Sequence, residues 1–146
     1  MIEAELKAGD IFTWENYPLF MDESKPRRWL LYLGNNTIHA IVYEISATTQ
    51  MHHYRNGGKR LQHNFFILPA GMGGLDKESV IDLTRYFEGV PESLFNKYKT
   101  DIEKRGTLNQ DYVNKFVKHL KTDPQIQTII KKDIFNYLKE AGFKVV

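Results

Sequence analysis

Over residues 45–75 the chain carries no carboxylate, yet it holds Arg55, Lys59, Arg60 and the histidines His52, His53 and His63. Residues 1–50, by contrast, hold seven acids against four Lys or Arg side chains. Net charge is only +2, so the distribution of charge says more than its sum. A basic, acid-free stretch with Tyr54 inside it suits phosphate contacts combined with ring stacking, which is how single-stranded nucleic acid is generally held. The turn signal Asn56-Gly57-Gly58 predicts a β-hairpin over 52–63 that brings Arg55 and Lys59 near one another. Arg27, His53, Tyr54, Arg55, Lys59 and Arg60 form the expected contact set for such a strand. The three histidines raise the question of a metal. On a strand, however, His52 and His53 point to opposite faces, and no carboxylate lies close in sequence. No metal and no cofactor are therefore expected. The glycine-rich run Ala70-Gly-Met-Gly-Gly74 lacks the lysine and the strand-to-helix setting of a phosphate-binding P-loop, and reads as a mobile connection.

The elements that must position these residues change in kind along the chain. Apolar and aromatic runs at 11–12, 28–34, 37–46 and 64–68 read as strands, with Gly34-Asn35-Asn36 as the turn between the second and the third. Residues 79–87 suit a strand or a short helix equally. Beyond Pro91 the pattern turns helical: a short amphipathic segment over 91–102, then 109–121 with Tyr112, Val113, Phe116, Val117 and Leu120 on one face. A last helix is expected from Asp123-Pro124 to a stop at Gly142, with Ile126, Ile129, Ile130, Ile134 and Leu138 as its buried stripe. Strands first and helices afterwards predict an α+β fold. At 146 residues and 42% hydrophobic side chains, the chain has the size of one domain, about 6–90 forming the sheet and 91–146 the helical part. No segment reaches the roughly 18 apolar residues of a membrane span. Residues 1–10 are acidic and polar where a signal peptide is basic and then apolar, so a soluble, cytoplasmic protein is expected. The absence of cysteine excludes disulfides and thiol nucleophiles.

The order of four segments is similar to the MazF/PemK family of toxins from type II toxin–antitoxin systems. Lys7-Ala-Gly-Asp-Ile-Phe12 resembles the family's opening strand, and Pro26-Arg-Arg-Trp-Leu-Leu-Tyr-Leu33 its second segment, with Trp29 standing where the family has proline after the arginine. Ile41-Val-Tyr-Glu-Ile-Ser46 resembles the third, which ends in threonine or serine. Ser79-Val-Ile-Asp-Leu-Thr-Arg85 resembles the valine-rich strand that ends in an acid and then an arginine. The resemblance covers about residues 6–105.

It implies a small antiparallel SH3-like β-barrel followed by C-terminal helices, acting as a homodimeric, metal-independent endoribonuclease on single-stranded RNA and silenced by a cognate antitoxin protein. It further implies that Arg28 is the catalytic arginine, that Ser46 is the hydroxyl paired with it at the phosphate, and that Asp82 stands at the position of a functional aspartate. In such a cleavage the ribose 2′-hydroxyl attacks the neighbouring phosphorus, so the protein supplies charge stabilisation and proton handling. A guanidinium forks onto two phosphate oxygens and stays charged, which suits Arg28 as phosphate clamp and candidate acid. The base is left open among Asp82, a histidine and solvent. The alternative is a non-catalytic binding module on the same barrel, recognising protein or RNA; shared fold does not fix function.

Overall fold

The chain pairs its strands into one antiparallel sheet whose ladders run in the order β4 (Phe65–Leu68), β5 (Ser79–Asp82), β3 (Ile41–Thr48), β2 (Arg28–Asn36), β1 (Asp10–Trp14), β7 (Ile102–Thr107). A computed structural model describes residues 5–19 and 27–146; Pro26 and residues 1–4, parts of the segments considered above, lie outside the described residues. β1 (Asp10–Trp14), β2 (Arg28–Asn36), β3 (Ile41–Thr48) and β4 (Phe65–Leu68) lie close to the expected strands. The turn after β2 falls three residues later than Gly34 suggested, over 37–40. Gly34 itself stays inside β2 at φ +126°, beside a register shift and directly beneath the ring of Tyr137. No side chain fits between that strand and that ring.

The run Trp-Leu-Leu-Tyr-Leu is continuous because both faces of the sheet are covered. On one face Ile11, Leu31, Leu33, Ile45 and Ile81 pack with Val113, Phe116 and Leu120 of α3 (Gln110–Thr122) and with Ile134 and Leu138 of α4 (Thr128–Glu140). On the other, Phe12, Trp14, Tyr17, Leu30, Tyr32 and Val42 form a second cluster against Phe95 of α2 (Glu92–Lys97). The Phe95 ring lies 5.3 Å from Trp14 and 5.9 Å from Phe12, centroid to centroid. Asn64 ties α3 to β4: its amide donates to the His119 carbonyl at 2.8 Å, and its Oδ1 lies 2.7 Å from His119 Nδ1.

The ambiguous stretch 79–87 is strand and helix in turn. β5 (Ser79–Asp82) pairs with β3 at Ala47↔Ile81, and β6 (Phe87–Pro91) pairs with the same edge at Ile45↔Phe87. Only Ser46 separates those two steps on β3, whereas five residues, 82–86, separate them on the partner. The excess is the single turn α1 (Leu83–Tyr86), an excursion thrown out of an otherwise continuous partner strand.

Several expectations are corrected. Residues 51–64 form no hairpin; a 3-10 turn at Met51–Tyr54 is followed by turns, and the Arg60 N–H reaches back to the His53 carbonyl at 2.8 Å. The segment has no period-two alternation to make a strand face, so local turn bonds win. The short helix expected after Pro91 is α2, but the sheet resumes beyond it: β7 (Ile102–Thr107) pairs with β1 inside the stretch expected to be helical throughout. Its sequence, rich in charges, is half-exposed edge and carried no apolar signal. Asp123 caps a bend, accepting from the Gln125 and Ile126 N–H groups, while α4 starts at Thr128 and leaves Ile129 66% exposed. The expected stop holds, with the Gly142 and Phe143 N–H groups returned to the Lys139 and Leu138 carbonyls.

The class is α+β, and the ladders form an open path: among the described residues none joins β7 to β4. The sheet nevertheless curls, because the loop after β4 meets β7. A Cβ on Gly106 of β7 would lie 2.6 Å from the carbonyl carbon of Gly73. No helix among the described residues is long and apolar enough to cross a membrane.

Candidate functional site

Where β2 begins and β3 ends, a cavity of about 350 Å³ opens between three pieces of chain. β2 and the residue before it supply Arg27, Arg28 and Trp29; the end of β3 supplies Thr48 and, just beyond, Thr49 and Gln50. The 51–64 loop adds His53, Lys59 and Arg60, and the α1 excursion adds Arg85 and Tyr86. Among the described residues, five Lys or Arg side chains and no carboxylate line this cavity.

The cations are held in different ways. Arg60 is only 5% exposed, and its Nη1 donates to Tyr86 Oη at 3.0 Å and to Tyr54 Oη at 3.4 Å. Burial works against its charge, but the two phenols outweigh burial and raise its pKa. Arg28 is half-buried, its guanidinium carbon 5.8 Å from the Tyr17 ring centre and 6.0 Å from that of Tyr86. Burial lowers its pKa, opposed by Tyr86, Tyr17, Glu88 and Glu44. Arg85 stacks on the Tyr86 ring at 5.3 Å. Arg27 pairs with Glu15 at the exposed rim. His53 is pushed down, first by desolvation and then by the charges of His52, Lys59, Arg60 and Arg85, which favours the neutral imidazole.

Behind Arg28 lies Glu44, fully buried, accepting from Tyr17 Oη at 2.7 Å and facing Glu88 across the β3–β6 ladder. Burial raises its pKa to about 8; Glu88 adds to this, while the Tyr17 hydrogen bond and Arg28 oppose it. At neutral pH the carboxyl is mostly protonated.

Of the residues singled out from sequence, Arg27, Arg28, His53, Lys59 and Arg60 converge on the cavity. Ser46, Asp82, Tyr54 and Arg55 are not among its lining residues. Ser46 is opposite Leu30 in the ladder, one step farther along the strand, on the face that Arg28 shares. That ladder ends at Trp29↔Ala47, and Thr48 and Thr49, just beyond it, line the cavity with Arg28; the Thr48 hydroxyl accepts from the Gln50 N–H at 3.2 Å. Tyr54 is buried behind Arg60, and Arg55 is exposed, 3.3 Å from Glu78.

Asp82 is fully buried and its oxygens are occupied: Oδ2 accepts from Tyr54 Oη at 2.6 Å and lies 2.7 Å from His63 Nδ1, while Oδ1 accepts from the Thr84 and Arg85 N–H groups at 2.9 and 3.2 Å. It caps α1 and anchors the loop that carries Arg60. Sequence reasoning did not single out Trp29, Thr48, Arg85 and Tyr86 as site residues. Asp82-x-Thr84, an N-cap pattern, was the available signal that the chain turns there and projects the next two side chains.

Because 51–54 is a 3-10 turn and not a strand, the His52 and His53 rings lie side by side, with centroids 3.9 Å apart. Among the described residues no three His, Asp or Glu side chains gather as a metal site requires. The cavity as built can hold an oxyanion by forked and single hydrogen bonds and stabilise added negative charge on it. No family model matches the chain, and no curated protein matches it in sequence.

Proposed function

We propose that the chain is a toxin-like endoribonuclease that cleaves single-stranded RNA at the cavity between β2, β3 and α1, without a metal ion. The observation that carries this reading is the wall that the described residues build, five cations and no carboxylate, one of which, Arg60, is buried against phenols. Like charges crowded in this way repel, and a guanidinium taken out of water is costly, so the arrangement gains most when a polyanion enters. Its volume of about 350 Å³ suits a small charged unit such as one nucleotide of a longer strand.

In this reading Arg28 forks onto the scissile phosphate and meets the charge of the pentacoordinate state, with Thr48 and Thr49 as hydroxyl partners and Ser46 one step along the strand. The resemblance to MazF/PemK toxins supports it through Arg28, and the curl that brings the 71–75 loop onto β7 supports a small SH3-like barrel. The same reading makes the protein a cytoplasmic homodimer, silenced by an antitoxin whose acidic residues occupy the cationic wall.

The test uses the purified chain and a short random-sequence RNA pool. Wild type cleaves it with chelator present, Arg28→Ala cleaves at least about a hundredfold more slowly, and Arg28→Lys recovers only part of the rate. A chain that binds the pool but cleaves none of it is a non-catalytic binding module, and one that sediments as a monomer at micromolar concentration removes the dimer.

A further inference from the structure

The cavity holds a second group able to take part in proton transfer, and it sits where three arginines meet. The guanidinium carbons of Arg85, Arg60 and Arg28 lie 5.3, 5.8 and 6.0 Å from the centre of the Tyr86 ring. Arg60 Nη1 is 3.0 Å from Tyr86 Oη, so the phenol oxygen already acts as an acceptor toward a cation. All four side chains line the same cavity. We propose that Tyr86 Oη is the proton acceptor for the ribose 2′-hydroxyl in the cleavage, an inference that rests on the endoribonuclease reading.

The step balances without a co-reactant. The phenolate oxygen takes the 2′-hydroxyl proton, the 2′-oxygen forms its bond to phosphorus, and the bond from phosphorus to the 5′-oxygen breaks. The leaving 5′-oxygen takes a proton from solvent, which leaves a 2′,3′-cyclic phosphate on one product and a 5′-hydroxyl on the other. Tyr86 later returns its proton to water.

The surroundings suit this use of a phenol. Burial raises the pKa of Tyr86, but the hydrogen bond with Arg85 and the charge of Arg60 outweigh burial and bring it below the ordinary phenol value. Tyr17, Tyr32, Tyr43, Tyr54 and Tyr137 are all shifted the other way, upward and first by burial. Asp82 is poorly placed for the role, since both its oxygens are occupied and it does not line the cavity. His53 also lines it, close enough to Lys59, Arg60 and Arg85 for their charges to act on the imidazole. It is therefore the rival for the experiment to exclude.

Tyr86→Phe keeps the ring and removes only the hydroxyl. Cleavage of the RNA pool is expected to fall by about a hundredfold or more, while binding of the 2′-deoxy counterpart pool changes less than about twofold. The wild-type rate should still be rising with pH above about pH 7, where an imidazole base would already have levelled off, and Tyr86→Phe should lose that rise. Titration of the wild type labelled at tyrosine Cζ, with Tyr86→Phe assigning the signal, should place Tyr86 below the ordinary phenol value. The proposal is overturned if Tyr86→Phe cleaves with the wild-type rate and pH profile, if the pH limb disappears in His53→Gln instead, or if Tyr86 titrates at or above an ordinary tyrosine. Loss of cleavage in Arg28→Ala but not in Tyr86→Phe removes the base alone. A wild type that cleaves nothing removes the nuclease reading and the base with it.

Discussion

Arg55 and Lys59 are four residues apart in one basic stretch, yet the fold gives them different partners. Lys59 lines the cavity, whereas Arg55 is exposed and sits 3.3 Å from Glu78. Only a cation that meets phosphate releases counterions when the strand binds. Lys59→Ala should therefore flatten the log-log salt dependence of single-stranded RNA binding by roughly 0.7, and Arg55→Ala should leave the slope where it was. Fluorescence anisotropy across a salt series reads both. Equal slopes for Lys59→Ala and wild type, or a flattened slope for Arg55→Ala, would place the RNA on the loop's outer surface and not in the cavity.

At the scale of elements, the unit that makes the site is β5-α1-β6. Without the four extra residues between the two steps on β3, Arg85 and Tyr86 would be ordinary strand residues, and the cavity would lose one wall. Asp82 holds that excursion in place by capping α1 and by bonding Tyr54 and His63 from the opposite loop. Asp82→Ala takes the acceptor from the buried Tyr54 hydroxyl, the half-buried His63 ring and two backbone N–H groups together. The expected loss is about 3 kcal/mol or more in urea unfolding, with Asp82→Asn intermediate because it keeps an acceptor for the cap. A loss under about 1 kcal/mol in Asp82→Ala would mean that α1 is held by packing alone.

For the whole molecule, the consequence of a sheet covered on both faces is that a carboxyl buried inside it favours its neutral form. Glu44 is fully buried, opposite Tyr32 in the β2–β3 ladder and hydrogen-bonded by Tyr17, two members of the second core cluster, and is held to a pKa of about 8 chiefly by burial. Its unfolded value is about 4.3. Between those values the folded state binds more protons than the unfolded one, so this group's contribution to stability falls as pH rises from about 4.3 and levels off above about 8. Glu44→Gln keeps an oxygen for the Tyr17 hydroxyl and has no charge to bury. It should be more stable than wild type at alkaline pH, by about 1 kcal/mol or more, or roughly 3 °C in Tm, with the difference shrinking toward pH 5. Thermal unfolding across that range checks the sign. A wild-type stability that rises through pH 8 relative to Glu44→Gln would show that Glu44 is ionised in the fold.

By itself the sequence determined the strands whose apolar side chains are dense enough to be buried, β1 to β4, and the two C-terminal helices whose period of apolar residues marks one face. It also determined the α+β order and the clustering of positive charge, because composition is local information. It showed Arg27, Arg28, His53, Lys59 and Arg60 as candidates, but not that the first two and the last three share a wall, since 25 positions separate Arg28 from His53 and only the ladder of β2 with β3 closes that distance. β7 escaped because an edge strand need not be apolar. Arg85 and Tyr86 escaped because a one-turn excursion is defined by its mismatch with β3, and register is a property of two strands at once. The tertiary structure alone decided that Asp82 bonds inward, that Arg60 lies between two phenols, and that three arginines surround one ring. Each of these depends on residues brought together from different segments, where burial strengthens charge interactions that an exposed chain would lose to water.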